Sequence, residues 1–143
     1  MGIGAVNYWA NTEVKLFERE DGLRLILEEL RKRNVENYND LLEIGGLAAL
    51  ATQYISIHLT DFKERQALLD YCRNQDIVPL LDKKIHEISH SGPKPSEDLA
   101  EEDFKKIMTV VSDCVELSGV KYQVAFLQGG LAKQLEKPQS GSQ

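Results

Sequence analysis

Apolar residues recur along this chain at intervals of three and four, the spacing that lines one face of an α-helix. Leu23, Ile26, Leu27 and Leu30 follow Asp21-Gly22 in that pattern and lead into Arg31-Lys32-Arg33 near Asn34. Cations suit a helix C-terminus, where unpaired carbonyls carry partial negative charge. Asn11 or Thr12 can cap a short helix before it, through Phe17. A strongly apolar segment runs from about Asn39 to Ile57, with Ile44, Leu47, Ala48, Ala51, Tyr54 and Ile55 on one face. Its Gly45-Gly46 pair weakens the helix by about 1 kcal/mol per glycine relative to alanine. Thr60-Asp61 opens another helix, with Glu64 placed as in a capping box, and that helix reaches about Arg73. Asn74-Gln75-Asp76 turns the chain. Asp76 can cap the next helix, and Pro79 is tolerated only in its first turn. Ile77, Leu81, Ile85 and Ile88 form the stripe of that helix, and Gly92-Pro93 stops it.

A polar linker spans residues 91–98. From about Glu97 or Glu101 a long helix carries Phe104, Ile107, Met108, Val111, Cys114 and Val115 on one face, and Gly119 is expected to end it. A last helix holds Val120, Val124, Leu127, Leu131 and Leu135 and ends at Pro138. Tyr54 to Leu59 is the best alternative for a strand, but no segment alternates convincingly. The expected fold is therefore all-α, with six to seven helices in one domain over residues 1–137 and a flexible Ser/Gly/Gln-rich tail over 138–143. The aromatic residues, Trp9, Tyr8, Phe17, Tyr38, Tyr54, Phe62, Tyr71, Phe104, Tyr122 and Phe126, are read mainly as core.

Composition narrows the function. The chain has 143 residues, enough for one domain with a real core, and a net charge of −6 at pH 7. Nucleic acid and anionic membranes reward clustered Lys and Arg, so neither is the expected partner. The basic runs Arg31-Lys32-Arg33 and Lys83-Lys84 are short and read as solvated helix surface. The two cysteines, Cys72 and Cys114, each sit in an apolar helical pattern, as reduced thiols do in a cytoplasmic protein. No apolar run reaches the roughly 18 residues of a membrane span. The N-terminus lacks the basic and apolar parts of a signal peptide, and Val6 stands where a myristoylation signal carries Ser or Thr.

His86-Glu87-Ile88-Ser89-His90 spells HExxH, the strongest chemical motif in the chain. Two imidazoles one helical turn apart can share Zn²⁺, with the glutamate as general base on the bound water. A third ligand would come from downstream, where Glu101, Glu102, Asp103 and Glu116 are available. At about 100° per residue, however, His86 and His90 fall nearly opposite the stripe of Ile77, Leu81, Ile85 and Ile88. Pro93 ends the helix just beyond His90, and no sheet edge is in view to present a substrate. The two histidines read better as solvated last-turn residues. Neither GxSxG, a P-loop nor GxGxxG occurs, and the acidic run Ser96 to Asp103 lacks the alternating ligands of an EF-hand. No cofactor and no metal are implied, and a small zinc-dependent hydrolase is the alternative to a non-catalytic protein.

An internal offset of 42 residues relates Ile26, Leu27 and Leu30 to Leu68, Leu69 and Cys72, and again to Val110, Val111 and Cys114. Twice that offset sets Tyr38 on Tyr122 and Gly45-Gly46-Leu47-Ala48 on Gly129-Gly130-Leu131-Ala132. The period lies in the range of two- and three-helix solenoid repeats. With Gly22 before Leu23 and Gly130 before Leu131, the chain resembles armadillo- and HEAT-type repeat proteins. That resemblance implies a short right-handed solenoid whose groove, lined by Asn39–Ile57 and Phe104–Leu117, takes a partner's helix or peptide. A compact helical bundle is the other architecture the pattern allows. Residues 63–88 also resemble bacterial death-like adaptor domains. The expected function is a non-catalytic interaction or adaptor module that binds another protein, with homo-oligomerisation open.

Overall fold

The apolar segment after Asn34 folds as the central helix of the molecule. In a computed structural model that describes residues 16–58 and 60–136, it is α2, Tyr38–Ile57. Asn37 caps it by accepting the Asp40 N–H at 3.0 Å. Leu41, Leu42, Ile44, Leu47, Ala48, Leu50, Ala51 and Tyr54 are all buried, so α2 is covered on nearly every side. A helix apolar all round needs neighbours all round. These are α1 (Gly22–Arg31), α3 (Phe62–Gln75), α4 (Ile77–Ser89) and α5 (Glu101–Glu136), with a 3₁₀ turn at Leu16–Glu18 before α1. Among the described residues the fold is entirely helical, and all five helices contribute to one core cluster.

Helices α1, α3 and α4 turn apolar residues inward, whereas the face expected for the first half of α5, with Phe104, Met108, Val111 and Val115, is exposed. Leu23, Ile26, Leu27 and Leu30 of α1, Leu68, Leu69, Tyr71 and Cys72 of α3, and Ile77 and Leu81 of α4 are buried. Asp61 caps α3 by accepting the Lys63 N–H at 2.9 Å. Asp76 ends α3 and starts α4 as a single hinge residue in the left-handed conformation, φ 52° and ψ 42°. Aspartate tolerates that region better than most side chains. It acts through its backbone: its N–H donates to the Arg73 carbonyl and its own carbonyl accepts the Leu80 N–H. The side-chain cap expected of Asp76 is not made.

Six to seven helices were expected; five α-helices and the 3₁₀ turn are found among the described residues. The main difference is at Gly119, which does not end a helix. Residues 101–136 form one continuous α5, about 54 Å long at 1.5 Å per residue. A glycine costs a helix interior about 1 kcal/mol. The burial of Leu117, Val120, Val124, Leu127 and Leu131 around and beyond it outweighs that cost. The short helix expected from Asn11 or Thr12 falls mostly outside the described residues, as does Trp9. Most of Asn39–Ile57, expected to line a solenoid groove, is buried in the core. The pairs related by the internal offset also differ in setting: Gly45 and Gly46 are buried, whereas Gly129 and Gly130 are exposed.

Close backbone approach fixes two of these packings. A Cβ on Gly45 would sit 2.9 Å from Val120 Cγ2 and 3.2 Å from Val120 Cα, so α5 lies almost directly on α2 there. A Cβ on Gly22 would collide with Cε2 of Tyr54. The Gly22 N–H donates to the Tyr54 hydroxyl at 3.2 Å, and that hydroxyl donates to the Arg19 carbonyl. The Tyr54 ring also stacks on His58, with centroids 4.3 Å apart. At the other end of α1, the Tyr71 hydroxyl donates to the Leu30 carbonyl at 3.1 Å, and Arg33 pairs with Glu43 at 2.6 Å.

Three substitutions test this packing by urea unfolding. Gly45→Ala is expected to destabilise the fold by about 1–3 kcal/mol, the usual cost of overpacking. Tyr54→Phe should cost about 1–3 kcal/mol, since it leaves a buried N–H and a carbonyl without a partner. Gly130→Ala, where a Cβ would meet nothing within 4 Å, should stabilise by about 0.5–1 kcal/mol.

A pH series tests Tyr71. Burial pushes its phenol up to about 12. The folded chain therefore keeps this proton at a pH where the unfolded chain has lost it. The resulting stability is complete below about pH 10 and is lost as the pH rises toward 12, with a slope of up to about 1.4 kcal/mol per unit. Tyr71→Phe should flatten that alkaline slope.

Candidate interaction surface

The physical requirement for α5 is to cover α2, α3 and α4 with one side. Leu117, Val120, Val124, Leu127 and Leu131 meet it, and all are buried. Lys121 pairs with Asp82 of α4 at 2.5 Å, and Cys114 Sγ lies 3.8 Å from the Ile85 carbonyl. Near the start of α2, the Tyr38 hydroxyl donates to Glu116 Oε1 at 3.0 Å and to Asp113 Oδ1 at 3.3 Å. Partial burial and these two carboxylates raise the Tyr38 phenol above its ordinary range.

The opposite side of α5 is apolar as well. Phe104, Met108, Val111, Val115, Tyr122 and Phe126 are between 48% and 65% exposed. Steps of four and three residues link Phe104, Met108, Val111, Val115, Gly119, Tyr122, Phe126 and Gly129, which keeps them on one continuous face of the helix. Tyr122 and Phe126 stack along the helix with centroids 6.1 Å apart. Gly119 and Gly129 lie exposed in the same zone, with nothing within 4 Å of where a Cβ would stand. Single exposed apolar residues are ordinary, but a continuous stripe of large ones marks a contact surface.

A groove runs beside the N-terminal half of this stripe. Ser89 at the end of α4 and Gly92, Pro93 and Pro95 of the α4–α5 connection form one wall, and Ile107, Val110, Val111, Cys114, Val115 and Ser118 form the other. Its volume is about 500 Å³. Gly92 permits this arrangement, since a Cβ there would lie 3.0 Å from Val110 Cγ2. A second depression of about 470 Å³ lies between the Cys72–Pro79 junction and Ala125, Gln128, Gly129 and Ala132 of α5.

The HExxH residues lie apart from these cavities, except for Ser89. His86 and His90 are exposed, as the helical angle predicts, and so is Glu87. The imidazoles are near one another, with centroids 4.3 Å apart. His90 Nδ1 is 2.8 Å from the His86 carbonyl and 3.1 Å from Ser89 Oγ. A carbonyl only accepts, so Nδ1 carries the proton and cannot take one from Ser89. Glu87 borders a shallow pocket of about 150 Å³ with Glu36, Tyr38 and Lys84. Glu116, one of the suggested third ligands, is engaged by Tyr38. Glu101, Glu102 and Asp103 occupy the first turn of α5. Among the described residues, no group of three or more His, Cys, Asp or Glu side chains is arranged to hold a metal ion. Cys72 is buried, and burial pushes its thiol up to about 11, which makes it a poor nucleophile.

The seam was missed in the sequence because its N-terminal part looks like any core stripe. The signal was present in the C-terminal part. Tyr122 and Phe126 continue the spacing across Gly119, while Val120, Val124 and Leu127 occupy a second face.

No family model matches the chain, and neither the curated proteins nor the solved structures include a match to it. Among the described residues, no helix is long and apolar enough to cross a membrane.

Protein prepared without a polyhistidine tag and dialysed against zinc is expected to retain it only substoichiometrically. Stoichiometric zinc that disappears in His86→Ala/His90→Ala would instead establish a metal site on this helix.

Proposed function

We propose that this chain is a non-catalytic interaction module, built as a compact helical bundle, that docks a partner helix on the outward face of α5. The observation that carries this reading is the division of α5 into two apolar faces. One is consumed by the core and the other, from Phe104 to Phe126, is left in water. Folding the chain explains the first face and gives no reason for the second. A narrow apolar stripe that runs along one helix favours a helical occupant, whose own apolar face lies along it. The groove beside Pro93 and Pro95 widens the same surface. A solenoid with an open concave face fits less well, since α2 is enclosed and cannot line one. A death-like adaptor would share the bundle architecture and the mode of action by surface contact.

The test separates folding from binding. Phe104→Asp/Tyr122→Asp should leave the melting temperature within a few degrees of the parent, because both sites are half or more exposed. The same variant should lose at least ~10-fold in affinity for whatever protein the parent chain retains. Equal binding by parent and variant would remove α5 as the docking face.

A further inference from the structure

We infer that the helix docked on α5 is α5 of a second copy of this chain, lying antiparallel about a twofold axis at Val115. This names the partner of the surface proposed above and rests on that reading.

The argument begins from position. Phe104 and Phe126 lie equally far in sequence before and after Val115, as do Met108 and Tyr122, and Val111 and Gly119. In a twofold contact, residue i meets residue j and j meets i. An antiparallel pair centred on Val115 therefore sets each Phe104 against Phe126 and each Met108 against Tyr122. Val111 faces Gly119, where a Cβ meets nothing in the single chain and the space is open to a neighbour. Small residues at the centre, Ser112, Ser118 and Gly119, let the helices approach closely, and large ones close both ends. A partner of unrelated sequence would not require this symmetry of size.

Area fits a reversible pairing. Three of the six side chains are aromatic and 53–64% exposed, which offers on the order of 250–450 Å² per chain at the 150–250 Å² that an aromatic side chain can bury. With Met108, Val111 and Val115 added, two chains approach the roughly 1,200 Å² lower end of specific interfaces.

Charge selects the direction. The first turn of α5 carries Glu101, Glu102 and Asp103, and its last turn carries Lys133. An antiparallel pair centred on Val115 sets Lys133 of each chain level with Glu97 of the other, four residues before its acidic first turn, and sets opposite helix-dipole ends side by side. A parallel pair would place the two acidic turns together. The exposed residues beside the stripe include few cations, which disfavours an anionic lipid surface as the occupant.

Sedimentation velocity of the full chain from ~5 to ~500 µM is expected to show a reversible dimer. Val115→Asp should raise the dissociation constant at least ~100-fold. Its helical content should not change, since Val115 is 65% exposed in the single chain. The register is read by oxidative crosslinking in a Cys114→Ser background, with buried Cys72 as a spectator. Val115→Cys chains should link to themselves. Met108→Cys chains should not, whereas a mixture of Met108→Cys and Tyr122→Cys chains should. Efficient self-linking of Met108→Cys would overturn the antiparallel register, and a monomer at every concentration would overturn the pairing. If the chain is monomeric but Phe104→Asp/Tyr122→Asp still loses a partner of different sequence, pairing falls and the interaction module stands. If that variant changes neither association nor binding, both fall.

Discussion

The structure depends on the close contact of α5 with α2 at Gly45. Without a side chain at that position, the Val120 backbone comes within 3.2 Å of where a Cβ would stand, and the long helix settles onto the most apolar segment of the chain. Because α2 is buried on nearly all sides, its cover must come from several elements at once, and α5 is the longest of them. Leu117, Val120, Val124, Leu127 and Leu131 can be fully buried only while that approach is kept. Tyr54 works the other end of α2: its hydroxyl joins the Gly22 N–H to the Arg19 carbonyl and so holds the entry to α1 against the central helix. One small residue and one hydroxyl thus set two of the main packings in the bundle.

Much of this was legible in the residues. The α1 stripe of Leu23, Ile26, Leu27 and Leu30 is buried because a helix with a single apolar face has only one way to settle. The same angular reasoning placed His86 and His90 in solvent. It gave α2 one inward face, with Ile44, Leu47, Ala48, Ala51 and Tyr54, but not the burial of Leu41, Leu42 and Leu50 as well, because apolar residues surround the axis. It also misjudged Gly119, since a local cost of about 1 kcal/mol yields to the burial of Leu117 on one side and Val120 on the other. Which face of α5 turns inward was illegible for a related reason. Both faces are apolar, and only the tertiary contact at Gly45 decides between them.

The two faces also differ in kind. The inward one is aliphatic, Leu and Val throughout. The outward one is richer in aromatic residues and methionine, with Phe104, Met108, Tyr122 and Phe126. Aromatic residues and methionine are enriched at the cores of protein–protein contacts, where large side chains supply much area for few ordered rotamers. On the proposed pairing, the acidic cluster at the start of α5 and the exposed Lys133 near its end would bias the direction of approach without contributing much energy in water.

The glycines sharpen this distinction. Gly22 and Gly45 are explained from within the chain, because a Cβ at either would collide with Tyr54 or Val120. Gly119, Gly129 and Gly130 are not, since a Cβ at any of them would meet nothing within 4 Å. Each lies inside a continuous helix and costs it about 1 kcal/mol relative to alanine. Within the single chain this cost has no offset. Two of the three, Gly119 and Gly129, fall on the exposed seam, where a missing side chain lets a second helix come nearer than any other residue would allow. On the proposed pairing, the seam glycines would do for a second helix what Gly45 does for α5.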